Sequence, residues 1–138
     1  MTFYIELDSN PTGTAQQSGQ MVRGGQIHHY IKKNVRVQKD IYALRILEAL
    51  EDIGREPPHY EGPVFLSIHF YFSIKQKRRW GEWKDSRPDV DNIAKGLIDV
   101  LTKVGMWTDD SQICQLHLSK SYAEKPGIYF EMGRLINP

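Results

Sequence analysis

The chain has 138 residues, a formal net charge of +1, and 40% hydrophobic against 25% charged residues. That is enough chain for one domain with one core, folding without disulfides or a structural metal, and the composition excludes wholesale disorder. The only cysteine, Cys114, excludes an internal disulfide and a cysteine-built zinc cluster and fits a reducing cytoplasm, while no basic leader opens the sequence and its longest apolar-rich stretch, 64–74, is too short to cross a bilayer as a helix.

In chain order, the alternation of Phe3, Ile5 and Leu7 with Tyr4, Glu6 and Asp8 predicts a half-buried strand over 2–8, ended by Asn10-Pro11-Thr12-Gly13. Residues 14–25, rich in Gln, Ser and Gly and without periodicity, are expected to form a mobile loop. His28-His29-Tyr30-Ile31-Lys32-Lys33 reads as a loop or strand end and a second basic contact. Adjacent histidines on a strand point to opposite faces, which makes them a poor ligand pair. Ile41, Leu44, Leu47 and Leu50 recur at helical spacing and predict a helix over 39–53 with Arg45 and Glu48 outward, stopped by Gly54 and Pro57-Pro58. Val64, Leu66, Ile68, Phe70, Phe72 and Ile74 alternate with Ser67, His69 and Ser73, a strand with one buried face.

A basic segment follows, 75–87, carrying Lys75, Lys77, Arg78, Arg79, Lys84 and Arg87 with Trp80 and Trp83 among them. A second helix is predicted over 92–104, with Ile93, Leu97, Val100, Leu101 and Val104 inward, Asp91 as its cap and Gly105 at its end. Two closing strands, 113–122 and 127–132, are expected to meet at a tight turn over Glu124-Lys125-Pro126-Gly127. His69 and His117 read as satisfied sheet residues, and Cys114 as a small buried apolar one. The order β-α-β-α-β-β, without repeat or linker, predicts a single α/β (α+β) domain: one mixed sheet with two main helices.

Chemistry concentrates in Arg87-Pro88-Asp89-Val90-Asp91-Asn92-Ile93-Ala94-Lys95 and in Trp107-Thr108-Asp109-Asp110-Ser111-Gln112. If the chain stays extended through Asp91, Asp89 and Asp91 share a face, and two adjacent carboxylates are tolerated best around a cation. Oxygen donors with open water positions suit Mg²⁺. Lys95 stands one helical turn after Asp91, and the return from helix to strand can bring Asp110 to the same edge. Taken singly, each residue has a plainer reading. Asp91 is a helix cap, Lys95 an ion-pair partner of Asp91 or Asp99 worth about 0.3–0.5 kcal/mol, and Asp109-Asp110 a turn. Only the combination points to metal-assisted phosphate chemistry.

These two stretches, with the Gly105-Met106-Trp107 that joins them, resemble the RusA family of Holliday junction resolvases. Its pattern is Asp-x-Asp-Asn-x-x-Lys, an Asp-Ala-Leu-like helix end, Gly-x-Trp and Asp-Asp-x-Gln. The close match covers about 87–120, and the turn and strand after it are also similar. The resemblance implies a homodimeric endodeoxyribonuclease, often phage- or prophage-encoded, that uses Mg²⁺ or Mn²⁺ to cut four-way junctions in recombination and repair, leaving 5′-phosphate and 3′-hydroxyl ends. Asp89, Asp91 and Asp110 then correspond to metal-binding catalytic carboxylates and Lys95 to the catalytic lysine. Pro88 stands where family members can carry a basic residue that grips DNA, with Arg87 one position earlier. The basic segment suits phosphate contacts, and Trp80 and Trp83 suit stacking on unpaired bases. Its plainer reading is a solvated loop with two packed tryptophans. Two other activities fit the same residues: a broader phage nuclease cutting flaps or forks, and a non-catalytic protein that binds branched DNA. A nucleotide hydrolase is disfavoured by the lack of a Walker-type loop.

Overall fold

The computed structural model describes residues 1–13 and 25–138. The expected mobile loop therefore lies outside the described residues, except for Gly25, which opens a helix. Among the described residues, four strands, β1 (Thr2–Glu6), β2 (Val64–Ser73), β3 (Ile113–Ala123) and β4 (Gly127–Arg134), and two α-helices, α1 (Gly25–Asp52) and α2 (Val90–Val104), run in the order β1-α1-β2-α2-β3-β4. No helix among the described residues is long and apolar enough to cross a membrane.

The sheet order is β1-β4-β2-β3. β2 is its spine: Val64, Leu66, Ile68, Phe70 and Phe72 are all buried, each contributing about 1.5–3 kcal/mol relative to exposure. It pairs antiparallel with β4 and parallel with β3. A parallel neighbour needs a crossover, and α2 supplies it, laying Ile93, Ala94, Leu97, Val100 and Leu101 on the sheet. Phe3, Ile5, Ile128, Phe130 and Met132 complete the same core from β1 and β4.

The two closing strands do not pair with each other, and the link between them is not the expected tight turn. β2 lies between them, so Glu124-Lys125-Pro126 steps over the end of β2 and drops β4 into the gap beside β1. Local turn chemistry is the same in both cases; what decides is that apolar β2 is buried on both edges only if β4 inserts.

α1 also departs from expectation. It starts at Gly25, so His28 and His29 belong to helical backbone and not to a loop or strand end. Its buried stripe is Tyr42, Ile46 and Leu50, while Ile41, Leu44 and Leu47 are 44, 56 and 45% exposed. Tyr42 carries the inward face as a large ring, and burial raises its phenol well above the usual range. α2 follows the periodicity closely, but its N-cap is Asp89, with Asp91 already in the first turn. Gly105 ends it with φ 99° and ψ 26°, and a Cβ there would lie 2.5 Å from the His59 ring. Cys114, expected buried, is exposed on the edge strand β3.

Candidate active site and nucleic-acid surface

Asp89 has extended backbone and its carboxylate makes no capping hydrogen bond. Because the helix begins at Val90, Asp89 and Asp91 are not two residues of an extended strand, and the shared face expected from strand alternation does not exist. Both carboxylates are exposed at the N-terminal, positive end of the α2 dipole.

In the second acidic pair the two carboxylates have different surroundings. Asp109 accepts the Ser111 backbone N–H at 2.8 Å, and Gln112 Oε1 accepts the N–H groups of Thr108 and Asp109 at 2.9 and 3.1 Å. Gln112 Nε2 ties this turn to the carbonyls of Tyr60 and Gly62, both at 2.9 Å. The Ser111 N–H holds the Asp109 carboxyl below the usual range. Asp109 is therefore the structural member, and Asp110 is exposed on a cleft.

That cleft, about 310 Å³, lies between α1 and α2 and is closed by Thr12, Gly13 and Asp110. Lys95 and Asp99 line it from α2, Lys39 and Tyr42 from α1. Lys39 Nζ reaches Asp99 Oδ2 at 2.9 Å and Lys103 Nζ reaches the same oxygen at 3.2 Å. Lys39 foremost, with Lys103, holds the Asp99 carboxyl below its ordinary value. Lys95 enters none of the ion pairs among the described residues, so the expected pairing with Asp91 or Asp99 is replaced by Lys39 and Lys103. Tyr42, Gln38 and Lys39 are cleft residues that sequence reasoning missed, because α1 carries no motif to mark them.

Lys95 and Asp110 thus share one cleft, while Asp89 and Asp91 are not among its lining residues. Among the described residues no group of three or more His, Cys, Asp or Glu side chains is gathered closely enough to hold a metal ion. The return from α2 through Gly105–Asp109 brings Asp110 to the cleft that Lys95 lines. The donor set still fits a hard divalent cation by its chemistry: three exposed carboxylates, none in an ion pair among the described residues.

The basic segment is anchored, not loose. After a single 3₁₀ turn at Lys77–Arg79, it runs along the edge of β3. Gly81 N–H donates to the Tyr122 carbonyl (2.9 Å), Tyr122 N–H to that of Glu82 (2.9 Å) and Lys84 N–H to that of Lys120 (3.3 Å). Lys120 Nζ then donates to the carbonyls of Ser86 and Pro88, both at 2.6 Å, fixing the approach to Asp89. No motif marks Lys120; only the register opposite Phe70 reveals it. Arg79 and Lys84 lie 4.8 and 5.3 Å from the Tyr122 ring centre, and Arg79 also pairs with Glu82 at 2.9 Å. The Ser86 hydroxyl above all, helped by Lys84 and Arg79, lowers the Tyr122 phenol. Lys75, Lys77, Arg78 and Arg87 are exposed. The two tryptophans divide: Trp80 is half-buried, its Nε1–H donating to the Ile74 carbonyl at 2.9 Å, whereas Trp83 is 72% exposed. His69 is held between the hydroxyls of Ser119 (2.6 Å) and Ser121 (2.7 Å), the satisfied sheet residue that was expected.

The family model of endodeoxyribonuclease RusA matches residues 8–132. The chain belongs to the RusA family of endodeoxyribonucleases. It is 38% identical over 130 residues to a crossover junction endodeoxyribonuclease of Lactococcus phage r1t, covering 94% of this chain and 95% of that protein. The RusA crossover junction endodeoxyribonuclease of Escherichia coli K12 is 28% identical over 98 residues, 71% of this chain and 69% of that one. Uncharacterized protein YqaN of Bacillus subtilis strain 168 is 44% identical over 78 residues, 49% of this chain and 54% of its own length.

Proposed function

We propose that this RusA-family chain works as a homodimer that cuts four-way DNA junctions by divalent-metal-dependent hydrolysis of phosphodiesters, in recombination and repair. The observation that carries the reading is the cleft shared by Lys95 and Asp110, in a chain that also keeps both carboxylates of the family's Asp-x-Asp pair. Asp89, Asp91 and Asp110 would hold Mg²⁺ or Mn²⁺, which when bound supplies Lewis acidity and an acidified water. Lys95, outside the ion pairs that occupy Lys39, opposes negative charge developing on the phosphate. The exposed cations of the 75–87 segment hold the backbone, and Lys120 fixes where that segment hands over to Asp89. A two-fold dimer supplies one site for each of the two strands to be cut, and the products carry 5′-phosphate and 3′-hydroxyl ends.

One observation favours a broader taste. Trp83 is held by a backbone bridge to Ser121 yet exposed, so it suits unpaired bases of any branched DNA, flaps and forks included. The deciding experiment incubates the protein with a strand-labelled four-way junction, a matched flap and a linear duplex, each with Mg²⁺ and with chelator. Paired, Mg²⁺-dependent cuts near the junction centre are expected. Comparable cutting of the flap supports the broader nuclease; binding without cleavage in Mg²⁺ or Mn²⁺ sinks the catalytic reading.

A further inference from the structure

α1 has apolar residues on two opposite faces. One face, Tyr42, Ile46 and Leu50, is buried in the core. The other, Val37, Ile41, Leu44 and Leu47, steps by threes and fours along the helix and stands 44–56% exposed. A helix that is apolar on both faces is normally covered on both. Val37 and Ile41 also form one wall of a groove of about 180 Å³ whose other wall is the segment Leu7–Asn10 with Thr12.

The charges along the helix say what covers it. Lys32, Lys33 and Arg36 fall in the first half of α1, and the second carries Asp40, Glu48, Glu51 and Asp52 against Lys39 and Arg45. Nucleic acid would meet the acidic half unfavourably. A parallel second helix would set like charge on like, whereas an antiparallel one sets the basic half of each on the acidic half of the other. By the 100° step per residue, Arg36 lies at the edge of the stripe beside the line of Leu47, and Glu51 continues the stripe one turn past Leu47. Both are exposed, and pairing about a two-fold near Tyr42 brings Arg36 of one copy towards Glu51 of the partner subunit.

We propose that the outward stripe of α1 is the surface on which two copies of this chain pack, antiparallel, with the leucines of each helix seated against Val37 and Ile41 of the other. This rests on the homodimer of the preceding reading and specifies its surface. The test is sedimentation equilibrium of the full chain, with thermal unfolding to follow the fold. Wild type is expected to sediment as a dimer, and Ile41→Glu/Leu44→Glu to raise the dimer dissociation constant about a hundred-fold or more. Arg36→Glu and Glu51→Arg are each expected to weaken the dimer several-fold, and the two together to restore most of the loss. If Ile41→Glu/Leu44→Glu fails to fold, the charge reversals decide, and a double reversal no better than the singles overturns the proposal. An unshifted dimer in folded Ile41→Glu/Leu44→Glu overturns it too, and leaves the homodimer standing on another surface. A wild-type monomer at about 100 μM would remove both.

Discussion

The two helices bury their apolar residues in different ways. α2 has one apolar face and buries it in the core between the sheet and α1: Ile93, Leu97, Val100 and Leu101 are at most 3% exposed. α1 divides its apolar residues between a buried face and an open one. The cations repeat the contrast. Lys39 of α1 is tied to Asp99, while Lys95 of α2, on the same cleft, enters no ion pair among the described residues. Within one domain, then, α2 serves the core and the chemistry, and α1 serves the core and an outer face.

The contrast breaks most easily in the core. Leu101→Ala, at a fully buried position, should cost about 2–5 kcal/mol in urea unfolding. Leu44→Ala in α1 should cost well under half of that at high dilution. Equal losses would mean the α1 stripe is packed within the single chain.

The next effect is catalytic. Lys95→Ala should lower the single-turnover cleavage rate of a four-way junction about a hundred- to a thousand-fold, against less than about ten-fold for Lys39→Ala. Similar losses would make the cleft, and not Lys95, the functional unit. The same difference should appear within the acidic turn. Asp110→Asn should abolish cleavage with unfolding unchanged, and Asp109→Asn should lower the melting temperature while leaving most cleavage, since Asp109 is the turn's cap. A reversed pattern would transfer the role to Asp109.

The smallest effect concerns the tie between the helices. Asp99 is 44% exposed, so its bridges to Lys39 and Lys103 are screened, and Asp99→Asn should cost less than about 1 kcal/mol. The sign with pH is fixed by the lowered carboxyl. Its contribution is complete above the ordinary carboxylate range and is lost as pH falls through the lowered value. The urea midpoints of wild type and Asp99→Asn should therefore differ at neutral pH and converge in acid.

Legibility from the sequence divides along the same line. β1, β2 and the inward face of α2 follow from alternation and 3.6-residue spacing, because their apolar positions all face one core. The inward face of α1 did not follow, since Ile41, Leu44 and Leu47 form as regular a pattern as Tyr42, Ile46 and Leu50, and period alone does not say which face meets the sheet. The insertion of β4 beside β2 is likewise invisible locally, being settled by pairing far along the chain. At the site, Asp89, Asp91, Lys95 and Asp110 stand out as a motif. Strand logic for the first pair failed, because the helix starts at Val90. That Asp109 is used up by its own turn shows only in the hydrogen bonds, and Lys120 only in the strand register.

The step of Glu124-Lys125-Pro126 over β2 has one more consequence. Among the described residues β1 joins the sheet only through β4, so β1 has no sheet partner until β4 has been made. A chain halted before Gly127 lacks that seam, and closure of the sheet waits for β4 however early β1 was made.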